Sequence, residues 1–163
     1  MRIIGIDPGL RRAGWGVVAL EGGRLTHVDS GACAPPGEGP MAARLVALFE
    51  EIEAVLARLR PDVAAIERTF VNADGQGTLA LGQARGVALL ALARAGLDVA
   101  EYAPNEVKKA IVGVGRADKA QVALMVSRLL PGARARSHDA WDALAVAIVR
   151  AHRSGPGAER VAR

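Results

Sequence analysis

IIGIDPGLRRAGWGVV, residues 3–18, carries an apolar run that ends on a carboxylate, Asp7, and turns at once through Pro8 and Gly9 into a second β-rich run. A short run of Ile and Gly bounded by Pro-Gly reads as a buried strand followed by a tight turn. The returning GWGVVAL (14–20) and then RLTHVDSGAC (24–33), separated by EGG, extend it into an antiparallel meander of three strands. A strand with an apolar interior thus delivers an aspartate to its carboxyl end, and the rest of the chain must say why.

Beyond the PPGEGP loop (35–40), Leu45, Leu48, Phe49, Ile52, Val55, Leu56 and Leu59 recur at intervals of three and four, an amphipathic helix from Met41 that Pro61 closes. DVAAIE (62–67) suits a buried parallel strand, and it too ends on a carboxylate, Glu67. GTLALGQARGVALLALARAG (77–96) predicts a helix apolar over most of its circumference, buried on several sides or paired with another subunit. LDVAEY (97–102) is a fifth strand, and PNEVKKAIVG (104–113) begins a helix with Pro104 in its first turn. ADKAQVALMVSRLL (117–130) and SHDAWDALAVAIVRAH (137–152) are two further helices, the latter with Ser137 as candidate N-cap. Three strands, then helices alternating with strands, predict a single α/β domain over residues 1–152: a five-stranded mixed sheet flanked by helices. The unpatterned remainder, 153–163, is expected to be a disordered tail.

Composition narrows the function classes. Hydrophobic residues make up 51% of the 163 and charged ones 23%, which is globular composition. No apolar stretch could span a bilayer and nothing marks the start for secretion, so no membrane association and a cytoplasmic location are expected. One cysteine excludes an internal disulfide, and no Cys or His cluster has zinc spacing; Cys33 reads as an inert core thiol. A net charge of +4, from 21 Lys and Arg against 17 acids, is compatible with a polyanionic partner without demanding one.

The acids carry the sharper signal. Ligands gather beyond the carboxyl ends of strands in α/β sheets, and Asp7 and Glu67 both fall there. Taken singly, Asp7 reads equally well as a turn aspartate and Glu67 as a solvated acid beside Arg68. Asp139 and Asp142 lie three apart on one side of the last helix. Asp139 is explained by the macrodipole alone, but Asp142, among Ala140, Trp141, Ala143, Leu144, Val146 and Ile148, needs a partner to stay ionised. Four acids converging on one point repel unless a cation holds them. All-oxygen ligation selects Mg²⁺ or Mn²⁺ over zinc, and two such ions about 4 Å apart form the clamp used for in-line phosphoryl displacement. The chemistry predicted is phosphodiester hydrolysis.

These blocks, GIDPGLRRAGWGVV, AIERTF, LGQARGVALL, VKKAIVGVGRADKAQV and DAWDALAVAI, in this order and spacing, closely resemble the RuvC family of Holliday-junction resolvases over roughly residues 2–150. The resemblance implies a ribonuclease-H-like fold, a homodimer, and symmetric nicking of four-way DNA junctions with Mg²⁺, for which Mn²⁺ can substitute, two ions to a site. It also implies work beside the RuvA and RuvB branch-migration proteins. By matching motif the four catalytic, metal-binding acids are Asp7, Glu67, Asp139 and Asp142. Some relatives of the family carry a histidine three before the last aspartate; here Asp139 fills that slot, and His138 beside it reads first as a helix-start residue near the site and second as a possible proton carrier.

The DNA contacts implied by the family are Phe70, which would stack on a base at the crossover, and Lys108 and Lys119, with Lys109 extending the first. They are the only three lysines in the chain. From residues alone, Phe70 reads equally as a ring tucked under its loop. Arg85 could contact phosphate or stay within its helix. Competing readings are a ribosomal-RNA-processing nuclease of YqgF type, disfavoured by LGQARG and the VKKAIVG block, and an actin-like ATPase, whose duplicated domain does not fit in 163 residues. A non-catalytic junction binder would be expected to have lost ligands, and all four acids are present.

Overall fold

A computed structural model describes residues 1–70 and 73–154 of the chain. In it β1 (Arg2–Asp7), β2 (Ala13–Glu21) and β3 (Arg24–Cys33) form the expected meander. Next come α1 (Met41–Leu59), β4 (Val63–Glu67), α2 (Gly75–Arg94) and β5 (Asp98–Tyr102), then α3 (Pro104–Val112), α4 (Lys119–Leu129) and α5 (His138–Ser154). The strand order is β3-β2-β1-β4-β5, with β1 antiparallel to β2 and parallel to β4. The sheet is therefore mixed, and β1 is its central strand. Gly22 and Gly23, at φ 56° and 82°, make the two-residue turn between β2 and β3, where both positions need the left-handed region.

Side chains alternate across a strand, and the alternation divides the core in two. Ile4, Ile6, Trp15, Val17, Ala64 and Ile66 pack with Leu48, Ile52 and Leu56 of α1 and Ala84, Ala88 and Leu92 of α2. Ile3, Val18 and Ala65 face the other way, into a cluster with α3, α4 and α5. By the same alternation Gly5, Asp7, Gly14, Gly16 and Glu67 belong to the α5 face.

Those three glycines set how close α5 comes. A Cβ at Gly5 would stand 2.1 Å from the Ala143 carbonyl oxygen, one at Gly14 would stand 2.0 Å from that of Asp139, and one at Gly16 would stand 2.7 Å from the Leu144 side chain. The helix answers with small residues, Ala140, Ala143 and Ala147, and backbone packs on backbone. Leu144, Val146, Ile148 and Val149 are at most 1% exposed, and burying such side chains contributes about 1.5–3 kcal/mol each as an upper estimate. Helix α5 is thereby pinned across the central strands with its first turn over the ends of β1 and β2.

The other boundaries fall close to expectation. Pro61 disfavours a helical residue before it, and Arg60 leaves α1 at φ 46°. Helix α2 starts two residues earlier than predicted, at Gly75, because Asp74 caps it by accepting the Gly77 N–H at 3.0 Å. Its buried face is alanine, Ala84, Ala88 and Ala91, with Leu92. Leu79 and Leu90 point outward at 65% and 55% exposure. Gly82 and Gly86 between them have nothing within 4 Å of a built Cβ. The apolar circumference read from the sequence thus resolves into an inner alanine face and an outward stripe of leucine and glycine. Helix α5 runs to Ser154, and the tail expected over 153–163 lies outside the described residues from residue 155 on. Among the described residues no helix is long and apolar enough to cross a membrane. Cys33 is buried, which pushes its thiol up to about 12 and fits the expected inert core role.

Candidate active site

Asp7 closes β1 and Glu67 closes its parallel neighbour β4, so two adjacent strands carry a carboxylate off the same edge of the sheet. Asp7 lies opposite Gly14 in the β1–β2 ladder, and Gly14 is where the Asp139 backbone descends on the sheet. Ser137 Oγ accepts the Ala140 N–H at 3.2 Å, capping the first turn of α5 as predicted. One turn on, Asp142 joins Asp7 and Glu67 in lining a cavity of about 190 Å³, with Lys108 of α3 and Lys119 of α4.

Burial, with Glu67, Asp142 and Asp139 close by, pushes Asp7 up to about 8, and Lys119 opposes the shift. Glu67 is pushed up to about 7, first by burial and then by Asp142, with Lys108 and Lys119 opposing. Carboxylates crowded in a poorly solvated cleft resist ionising together. Two of the four have a basic partner: Lys119 Nζ lies 3.2 Å from Asp142 Oδ2 and Arg12 Nε lies 3.5 Å from Asp139 Oδ2. Asp142 in turn holds the Lys119 ammonium above its ordinary pKa. Asp139 faces a second, larger cavity beside Arg12. Among the described residues no three Asp, Glu, His or Cys side chains are grouped closely enough, as they stand, to hold a metal ion. The site is four converging acids, two of them turned toward cations.

The lysines are set by their helix starts. Asp118 accepts the Gln121 N–H at 2.8 Å and Gln121 Oε1 accepts the Asp118 N–H at 2.9 Å, a capping box that makes Lys119 the first residue of α4. Glu106 accepts the Ala103 N–H at 3.1 Å and pairs with Arg153, which also lies over the Tyr102 ring, so α3 and its Lys108 are tied to α5. Lys109, one residue on, is exposed and outside the cleft lining. Phe70 is 62% exposed, three residues past Glu67. The ring is therefore not tucked under its loop. His138 is exposed at the first position of α5.

Sequence reasoning left Arg85 undecided and missed Arg12. Arg85 of α2 donates from Nε to the Glu67 carbonyl oxygen at 3.2 Å and pairs with Glu101, its side chain 19% exposed. It therefore braces the end of β4 from behind the catalytic face, which decides the question the sequence left open. An arginine inside an otherwise apolar helix was the available signal. Arg12 gave none, since two adjacent arginines in a turn read first as solvated. The glycines at alternate positions, Gly5 and then Gly14 and Gly16, did carry one: glycine within a strand marks close approach of another backbone.

The profile of the crossover junction endodeoxyribonuclease RuvC family matches residues 3–150. Crossover junction endodeoxyribonuclease RuvC of Azorhizobium caulinodans is 58% identical over 160 residues, covering 98% of this chain and 95% of its own. That of Ruegeria pomeroyi is 59% identical over 152 residues, covering 93% and 92%. Among solved structures, Thermus thermophilus RuvC superposes with a TM-score of 0.82 at 34% identity, over 94% of this chain and 95% of that one. T. thermophilus RuvC in complex with a Holliday junction substrate superposes with 0.87 over 97% of each, also at 34% identity. The fold is accordingly ribonuclease-H-like, as the resemblance implied. With its strands, helices and acids in the positions described, the chain belongs to the RuvC family of crossover junction endodeoxyribonucleases.

Proposed function

We propose that Asp7, Glu67, Asp139 and Asp142 are the catalytic carboxylates of this endonuclease and that they hold divalent cations, two Mg²⁺ per site with Mn²⁺ as substitute. The observation that carries the reading is the placement of Asp7 and Glu67 at the ends of neighbouring parallel strands, lining one cavity with Asp142, with Asp139 three residues before it on α5. Burial, with this crowding, pushes Asp7 up to about 8. Only strong local positive charge lets all four ionise side by side, and all-oxygen donors suit a hard cation of this kind. When bound, such ions polarise the scissile phosphate and acidify the attacking water.

The chain's own residues do the rest. The ends of the adjacent strands β1 and β4 hold Asp7 and Glu67 half-buried at the cleft, and Arg85 fixes the Glu67 backbone. Lys108 and Lys119 set positive charge at the cleft wall, where phosphates flanking the scissile bond would be neutralised. Lys109 adds an outer phosphate contact. Phe70, exposed on the loop beyond β4, stacks on a base unpaired at the crossover. His138, exposed next to Asp139, carries a proton between the site and solvent.

Family membership makes the activity phosphodiester hydrolysis in DNA, and this chain resolves four-way DNA junctions. Two equivalent strands must be cut, and a two-fold homodimer presents two copies of one site to them. The outward stripe of Leu79, Gly82, Gly86 and Leu90 on α2 supports that pairing. RuvA and RuvB are proposed as partners on the family relationship, and the cytoplasm as location on the DNA substrate. The test is cleavage of a four-way junction, a linear duplex and a structured RNA, each with and without Mg²⁺. Paired nicks in the junction alone, and only with the metal, are expected; equal cutting of duplex or RNA would overturn the reading.

A further inference from the structure

The catalytic cavity, about 190 Å³, falls below the ~300–1,000 Å³ range of small-molecule sites. A nucleic-acid strand cut there must continue past it on both sides. On one side stand Lys108 and Lys119. On the other, across Asp139, opens the larger cavity, about 1030 Å³, which Arg11, Arg12 and Arg44 line.

The three arginines differ in what holds them. Arg12 meets Asp139 at 3.5 Å with its side chain 59% exposed. Arg44 donates from Nε to the Pro36 carbonyl oxygen at 2.8 Å, which fixes its guanidinium at the wall and leaves the terminal nitrogens for a ligand. Arg11 is exposed in the turn after β1. The acids in the cavity are Asp139 and Asp74, and Asp74 Oδ1 accepts the Gly77 N–H. The cleft is thus cationic on balance, with Gln76 and Gln83 as neutral hydrogen-bonding groups. Leu79 at its rim belongs to the outward stripe of α2, so the cleft leads from the catalytic acids toward the face through which two copies would pair.

We propose that the Arg11, Arg12 and Arg44 cleft binds the phosphodiester backbone of the strand being cut, on the side of the scissile bond opposite Lys108 and Lys119. The proposal rests on the assignment of the four acids as the cutting site. Guanidinium groups suit it because their planar forks match phosphate oxygens two at a time.

The test measures junction binding by the full-length protein in Ca²⁺, against salt concentration, for wild type, Arg11→Glu, Arg11→Ala/Arg44→Ala and Lys108→Ala. Junctions carrying single neutral methylphosphonates on either side of the cut position are compared in the same series. Arg11→Ala/Arg44→Ala is expected to reduce the slope of log affinity against log salt by about two, roughly one for each phosphate the variant no longer neutralises. Neutral linkages on one side of the cut should weaken wild-type binding yet leave the arginine variant indifferent, and Lys108→Ala should be indifferent to the other side. Arg11→Glu, confined to an exposed turn, should weaken binding at least tenfold with an unchanged melting temperature, and so guards against any loosening of the Pro36 loop in the Arg44 variant. If Lys108→Ala lowers the slope while both arginine variants keep the wild-type value, the cleft proposal alone fails. If no variant changes the slope, the cleft proposal and the Lys108 contact fail together, whereas the assignment of the four acids fails only if Asp7→Asn, assayed beside them with Mg²⁺, nicks the junction at the wild-type rate.

Discussion

Replacing Gly14 by alanine adds one methyl group and tests whether the glycine groove positions the acids. The new Cβ would lie 2.0 Å from the Asp139 carbonyl oxygen and 2.5 Å from its carbonyl carbon. Real Cβ contacts essentially never fall below 3.0 Å, so the first turn of α5 or the end of β2 has to move by at least about 1 Å. The atoms in the way are backbone, so no side chain can swing aside. Overpacking of this kind costs about 1–3 kcal/mol, within reach of a core as fully buried as α5. The catalytic effect is larger, since a misplacement of about 1 Å costs on the order of 10²-fold in rate. Single-turnover nicking of a four-way junction, with junction affinity in Ca²⁺ and a melting curve beside it, reads all three quantities. Expected are a rate lower by about two orders of magnitude, binding within a few-fold of wild type, and a cooperative melt several degrees lower. Gly37→Ala, exposed in the loop before α1 with nothing within 4 Å of its added carbon, is the control for an alanine that meets open space. A Gly14→Ala protein that nicks at the wild-type rate would refute the idea that this close approach sets Asp139.

Three other outcomes follow from the same structure. Asp7 and Glu67 bind protons in the folded state at pH values where the unfolded chain has released them, from about 4 up to about 8. Stability in EDTA should therefore fall as pH rises through that window, and Asp7→Asn should melt above wild type at pH 8 with the difference vanishing toward pH 4; a pH-independent difference would contradict it. Arg85→Ala removes the brace on the Glu67 carbonyl and leaves Glu101 without its partner. It should lower stability by about 1–3 kcal/mol and cut the turnover rate while junction affinity stays the same, and calorimetric melting with single-turnover kinetics reads both. Gly86→Glu places a charge on the outward stripe of α2 where a built Cβ meets nothing; sedimentation at micromolar concentration should show monomer, and paired nicks from that monomer would sink the dimer proposal.

Much of this was legible because patterning and chemistry agreed. The meander, the period of α1 and the two carboxylate-ending strands follow from apolar spacing and turn residues, and Asp142 stood out as a charge in an apolar helix. What escaped was whatever depends on distance between elements. Nothing local tells that Gly14 lies under Asp139, 125 residues later, because the contact exists only once β2 and α5 have packed. Helix α2 read as apolar nearly all round; only the structure separates the alanine face turned to the sheet from the Leu79 and Leu90 face turned to solvent. Arg85 and Arg12 are long side chains whose partners, the Glu67 carbonyl and Asp139, are set by tertiary geometry. Lys108 and Lys109 are neighbours in sequence, yet helical rotation brings only the first to the cleft wall.

The central claim, that four carboxylates hold the metal that cuts DNA, is tested most directly by calorimetric titration of Mn²⁺ into wild type and into Asp7→Asn, Glu67→Gln, Asp139→Asn and Asp142→Asn. Junction nicking is measured on the same samples. Each variant is expected to bind Mn²⁺ about tenfold more weakly or worse and to stop nicking while still binding the junction in Ca²⁺. Any one of the four that kept both wild-type Mn²⁺ affinity and wild-type nicking would contradict the account.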